Sequence, residues 1–403
     1  MPQAFLGIRV VDFTQVLAGP FATQQLAMLG ADVIKIEEPS VGDQTRAMGT
    51  GATTSSMQAP GMTPTFMSCN TGKRSLTLNL KHEYARDVVL RLVKSADVVV
   101  ENFRPGVMAR LGFDYDTCVA LNPDLIYCSI SGYGQSGPKS GIAAYDGAVQ
   151  ADSGMMAITG TPDSGPLRTG YMPVDMSTAL NAAFAISAAL YRRGATGLGQ
   201  RLDVAMIDTA VVMQTAQFAR YLDSGEMPER IGNRSPTGQP TANVFSTSDS
   251  FLQVLALRQN QVEKLFGALD ISDKLAQPQF VSSDARVEHY DVVSACVSER
   301  MLSNTTEHWY QALLDAGVPV ARIRDFSEVR ADPQFAQRNV FIDVPNPSGE
   351  GTNTVIGTGY IADSDGPKAG RVAPGLGEHT HDVLSELGFG TNEIEKFRAA
   401  GAL

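Results

Sequence analysis

Short β-branched runs alternate with helix-length stretches through the first half of the chain. Ile8 to Phe13 reads as a buried strand. Gly19-Pro20 opens a helix running to Leu29, with proline suited to its first turn and Gly30 just past its end. Asp32 to Glu37 is the next strand. A loop rich in Gly, Thr, Ser and Met follows from Val41 to about Thr65. Leu76–Leu80, Asp97–Glu101 and Leu125–Ile130 read as further strands, and Glu83–Ser95 as an amphipathic helix. Repeated βα units imply a mostly parallel sheet covered by helices on both faces.

Met176–Arg193 is apolar on most sides and is expected to be a buried helix. Leu202 to about Tyr221 reads as another apolar helical stretch. The pattern divides the chain into a large first part, 1–222, a Gly/Pro/Arg/Asn-rich linker, 223–240, and a small domain, 241–317. Residues 318–403 read as a second linker with alternating strands and Gly/Pro turns, ending in a helix from His381 to Leu387; their return to the large domain is what the family resemblance below implies.

The 403 residues carry a net charge of −11, which argues against a nucleic-acid partner. A few placed cations can still hold a small anion. No apolar run approaches the roughly 18 residues of a membrane span. Met1 to Arg9 lacks the basic and apolar regions of a signal peptide. Cys69, Cys118, Cys128 and Cys296 have neither metal-site nor disulfide spacing and read as reduced thiols. These features predict a soluble cytoplasmic protein without a metal.

Three clusters carry candidate chemistry. Gly132 to Pro138 is a glycine-rich loop at a strand's carboxyl end, where α/β proteins bind ligands or merely turn. Arg46, Lys73, Arg74 and Arg104 flank strand ends and suit phosphate contact or a solvated surface. Asp175 precedes the apolar helix and can cap it, or serve as an ionised nucleophile at its N-terminus. Thr14 to Pro20 holds one glycine, so the G-x-G-x-x-G dinucleotide fingerprint is missing.

Together these segments resemble the class III CoA-transferase family, which includes α-methylacyl-CoA racemases. The resemblance rests on Val11–Thr14 with Leu17–Pro20, Leu29–Glu37, Gly42-Asp43 with Arg46, and Asn70 with Lys73–Ser75. It continues through Glu101–Gly106, Gly132–Pro138, Tyr145-Asp146, Asp175, Gly197–Gln200 and Leu376–Thr380. It implies an α/β fold: a Rossmann-like large domain, a smaller inserted α+β domain and an interlocked homodimer. It makes Asp175 the catalytic carboxylate, which takes the acyl group of an acyl-CoA donor as a mixed anhydride. CoA then passes to a small carboxylic acid acceptor.

The same resemblance sets Val16, Leu17, Ala18, Arg46, Gly72, Lys73, Arg74, Ser75, Asn102, Phe103, Arg104, Ala143, Ala144, Tyr145 and Asp146 along the coenzyme. Leu17 replaces a glutamine of the formyl-CoA branch and argues against oxalate and formate. Glu38 and Ala143 replace basic coenzyme contacts. Tyr145 stands where the racemases have a catalytic histidine, which weakens epimerisation. A non-catalytic CoA-binding protein is the third reading. The segments Arg230-Ile231-Gly232-Asn233-Arg234 and Arg258-Gln259-Asn260 loosely resemble the succinyl-CoA-dependent dicarboxylate branch. Arg234 is the candidate for reading an acceptor carboxylate, against a plain surface arginine; the acceptor itself is not legible.

Overall fold

The computed structural model describes residues 3–48, 61–345 and 351–403; part of the Val41–Thr65 loop, 49–60, lies outside them. Six parallel strands form the main sheet: β1 (Arg9–Asp12), β2 (Asp32–Glu37), β3 (Arg74–Thr77), β4 (Val98–Glu101), β5 (Ile126–Ser131) and β6 (Gln200–Ala205). Their order is β3-β2-β1-β4-β5-β6. The order reverses between β1 and β4, so a crevice opens past the carboxyl ends of those two strands.

Strand alternation divides the apolar residues between two layers. Val11, Ile34, Val99 and Tyr127 face a core shared with the Ala85–Ser95 helix and the C-terminal Thr380–Glu386 and Thr391–Ala399 helices. Val10, Val33, Val98 and Ile126 face the Ala18–Met28 and Pro173–Thr196 helices. Ala22, Ala179, Ala182 and Ala183 are all buried in that second layer, where small side chains suit close-packed helices. The C-terminal segment closes the edge of β3. His379 N donates to Ser75 O, Thr77 N to Thr380 Oγ1 and Asn79 N to Ala402 O.

The chain divides into two compact units: residues 1–155, 168–226 and 333–403, and residues 156–167 and 227–332. The second has a three-stranded antiparallel sheet: β7 (Ala242–Ser246), β8 (Phe251–Leu255) and β9 (Val320–Arg322). Its core gathers Phe245, Leu252, Val254, Phe266 and Trp309.

Three expectations are corrected. Residues 200–205 form β6 rather than the start of a helix, because Gly197–Gly199 turns the chain back beside β5. A Cβ on Gly199 would lie 2.1 Å from Leu125 O, so only glycine permits that approach. The Pro173–Thr196 helix is buried on one face only, with Leu180, Phe184 and Tyr191 exposed. Finally, the chain continues past the His381 region into the Thr391–Ala399 helix, whose Ile394 and Phe397 complete the first layer.

Candidate active site

A cavity of about 320 Å³ opens past the carboxyl ends of β1, β4 and β5. Gln15–Ala18, Asn102–Pro105, Ile130–Gly132 and Ala143–Tyr145 line it, together with Gln44, Ser140, Ile142, Asp175 and Met206.

The wall after β1 is held in an unusual conformation. Val16 has φ 71°, a left-handed value that β-branched residues avoid at a cost of about 1–3 kcal/mol. Hydrogen bonds fix it from both sides. Asn102 Oδ1 accepts from Gln15 N at 2.8 Å, and Asn102 Nδ2 donates to Gln15 O at 2.8 Å. Asp43 Oδ1 accepts from Val16 N at 3.3 Å. The Ala18–Met28 helix then begins at the cavity with no side-chain cap at Leu17. Its leading N–H groups favour negative charge.

The wall after β4 explains the Glu101–Arg104 motif residue by residue. Glu101 accepts from Phe103 N at 2.9 Å. Burial pushes its carboxyl up to about 7. Phe103 packs against the first core layer, and Asn102 clamps Gln15. Arg104 reaches the cavity, exposed and without an ion pair among the described residues.

The other predicted cations have different partners. Lys73 Nζ is fully buried, 2.9 Å from Asp12, and also donates to Pro20 O and Asn70 Oδ1. Burial lowers its pKa to about 8, against the opposing pull of Asp12. Lys35 Nζ lies 2.8 Å from Asp43 and donates to Thr14 O. Burial alone would raise the Asp12 and Asp43 carboxyls, but neighbouring lysines hold both below the usual range. Arg46 makes a two-pronged pair with Glu37, and Arg74 pairs with Asp32 and Glu386. Ser75 Oγ donates to Glu37 at 2.6 Å. None of Arg46, Gly72, Lys73, Arg74 or Ser75 lines the cavity. Of the four predicted cations, Arg104 is the one in the cavity wall. The charges of Arg46, Lys73 and Arg74 are already matched by carboxylates that lie 9, 61 and 312 positions away.

Asp175 lies in the cavity wall as the third residue of the Pro173–Thr196 helix, not as its cap. Pro173 takes the first helical position, where its missing N–H costs nothing. The capping role falls to Asp146, whose Oδ2 accepts from Val174 N at 2.9 Å and Asp175 N at 3.0 Å. Burial, and then the charge of Asp146, push the Asp175 carboxyl up to about 7. The site is therefore a carboxylate with raised proton affinity at the mouth of two helix N-termini. That combination suits attack on an activated carbonyl.

Of the glycine loop, Gly132 reaches the cavity; a Cβ there would lie 2.4 Å from Ala144 Cβ. Ala143, Ala144 and Tyr145 line the cavity, as does Leu17. Arg234 belongs to the second unit, exposed, with its guanidinium 4.6 Å over the Tyr290 ring. Gln15, Gln44, Ser140, Ile142 and Met206 escaped the sequence reading, being neutral or apolar residues without a motif. Among the described residues no group of His, Cys, Asp or Glu is placed to hold a metal, and no helix is long and apolar enough to cross a membrane.

Comparisons with known proteins agree on one family. The model of CoA-transferase family III matches residues 5–380. A succinate–glutarate CoA-transferase of Agrobacterium fabrum is 38% identical, over 94% of this chain and 95% of that protein. A succinyl-CoA:mesaconate CoA-transferase of Haloarcula marismortui is 36% identical, over 96% and 98% respectively. The crystal structure of a CAIB/BAIF family protein from Brucella suis superposes with a TM-score of 0.86 at 35% identity, covering 96% of this chain and all of that one.

Proposed function

Because the chain belongs to CoA-transferase family III and is an enzyme of that class, we propose that it moves CoA from succinyl-CoA to a short carboxylic or dicarboxylic acid through Asp175. The observation that carries this is the placement of Asp175, a carboxylate of raised proton affinity, in the wall of the switch-point cavity.

A carboxylate oxygen of Asp175 attacks the thioester carbonyl carbon. The C–S bond breaks, CoA leaves as thiolate and a mixed anhydride remains. The thiolate attacks the aspartyl carbonyl, releasing the donor acid and leaving an aspartyl-CoA thioester. An acceptor carboxylate then repeats the sequence in reverse. An anhydride is activated about as highly as a thioester, so acyl energy is kept where water is excluded. The uncapped start of the Ala18–Met28 helix supplies N–H donors for the oxyanions.

Val16, Leu17, Ala18, Asn102, Phe103, Arg104 and Ala143 to Tyr145 would line the coenzyme's path, with Arg104 as the available cation. Arg46, Gly72, Lys73 and Ser75 would act behind that wall, holding its shape, and Arg74 would tie the amino end of β2 to Glu386. The relatives named for succinyl-CoA or succinate support the donor. Leu180, Phe184 and Tyr191 stand 50%, 72% and 85% exposed along one helix, and this apolar stripe supports a homodimer. Arg234 remains the proposed reader of the acceptor carboxylate. The four free cysteines suit a reducing, cytoplasmic setting.

The test mixes enzyme, succinyl-CoA and a panel of short acids and looks for new CoA esters by mass spectrometry. Transfer to at least one acid is expected, and hydroxylamine should trap the acyl-enzyme. Wild-type turnover in Asp175→Ala would overturn the assignment.

A further inference from the structure

The helix that carries Asp175 begins without a cap of its own, since Met172 makes no side-chain bond there. Its leading N–H groups are satisfied by a different element, the Asp146–Asp152 helix. Asp146 is 5% exposed and both its oxygens are engaged. One accepts from Val174 and Asp175, and the other from Gln150 Nε2 at 2.5 Å. Gln150, 1% exposed, in turn accepts from Thr169 N at 3.1 Å through its own oxygen. The stretch from Thr169 to Asp175 is thereby tied at both ends to one short helix. Neither Asp146 nor Gln150 lines the cavity.

A neutral cap such as serine or asparagine would satisfy the same N–H groups. A carboxylate does something further. It offsets the positive end of the helix, which would otherwise stabilise the charged form of Asp175 and blunt its reactivity. Tyr145 and Arg104 line the same cavity as Asp175, and Asp146 lies directly against the start of its helix. Asp146 is the one whose charge acts on Asp175.

We propose that Asp146 is a positioning residue for the nucleophile: its buried carboxylate, held by Gln150, fixes the backbone of Asp175 and sets a second negative charge beside it, without touching the coenzyme. This rests on the reading of Asp175 as nucleophile. It departs from the resemblance, which set Asp146 along the CoA path.

The test compares Asp146→Asn and Gln150→Leu with the wild type. CoA affinity is measured by calorimetry, and formation of hydroxylamine-trappable acyl-enzyme from succinyl-CoA is followed against pH. In D146N the CoA dissociation constant should stay within about twofold of wild type. Acyl-enzyme formation should slow roughly 10- to 100-fold, because the second negative charge is lost and the new amide meets Gln150 Nε2 donor to donor, even though its oxygen still caps the helix. Its acid limb should move about one pH unit lower as the like charge is removed. Q150L keeps the charge and loosens the grip, so it should slow the reaction by roughly three- to tenfold and leave the acid limb in place. A tenfold loss of CoA affinity in D146N with an unmoved acid limb would overturn the proposal, because Asp146 would then be a coenzyme contact. Where D146N does not fold, Q150L decides, and an unchanged rate there overturns the proposal. If the wild type itself yields no trapped acyl-enzyme, the nucleophile reading falls and takes this proposal with it.

Discussion

A fully buried and a partly buried group of ionisable residues lie in the large unit, and they are built on opposite principles. Beneath the Gln15–Ala18 wall, Asp12 and Asp43 are matched by Lys73 and Lys35, and Glu37 by Arg46. Each charge there has a counter-charge within 3 Å, and the cluster holds backbone: Thr14, Val16 and Pro20 all hang from it. Around Asp175 the balance is absent. Two carboxylates approach each other with no cation between them, and one is left with raised proton affinity. The difference teaches that burial by itself does not make a side chain reactive. On the role proposed for Asp175, the matched cluster serves as scaffold and the unmatched pair carries the chemistry.

Four experiments sharpen or break that contrast. The largest effect is expected from Asp175→Ala, which should lower turnover by about 10⁴-fold or more in a thioester-exchange assay while the protein stays folded. Next is Lys73→Met, which strands Asp12 as an uncompensated buried charge. Denaturant unfolding should register a loss of about 3–5 kcal/mol. If it registers none, the cluster is not scaffold.

The third experiment uses pH. Asp175 binds its proton more tightly folded than unfolded, so its contribution to stability declines as pH rises from about 4 through about 7. Asp175→Asn should therefore be more stable than wild type by about 1–2 kcal/mol at pH 8.5, after discounting for partial solvent access. The advantage should vanish near pH 4. Wild-type acyl transfer should run the other way, falling as pH drops through about 7 and the nucleophile is protonated. The smallest effect is expected from Asn102→Ala, which frees Gln15 from two hydrogen bonds. It should cost about 1–2 kcal/mol of stability and raise the KM for CoA several-fold with little change in kcat.

The sheet was legible because β-branched runs of strand length are local signals, whereas Asp175 stood out locally only as a carboxylate at a helix start, and its proposed role came from the resemblance. The basic residues were not legible. Lys73 meets an acid 61 positions upstream and Arg74 one 312 positions downstream, and no local pattern reveals a partner at such range. The sixth strand was hidden by its edge position. Its outer residues are only partly buried, so Gln200–Ala205 lacks the strong apolar run of a central strand. Asp146 was set along the coenzyme by the resemblance alone, and its two backbone donors, 28 and 29 residues away, lie beyond the reach of a local pattern.

The stitching of residues 379–402 onto β3 has a consequence for how the protein is made. Emerging from the ribosome, the first strands and their helices have nothing to cover their outer edge until residues more than 300 positions later arrive. Meanwhile β3 presents open N–H and C=O groups, the kind of template on which nascent chains pair wrongly. The sheet begun first is therefore closed late, with the Thr380–Glu386 and Thr391–Ala399 helices acting as a latch over its edge.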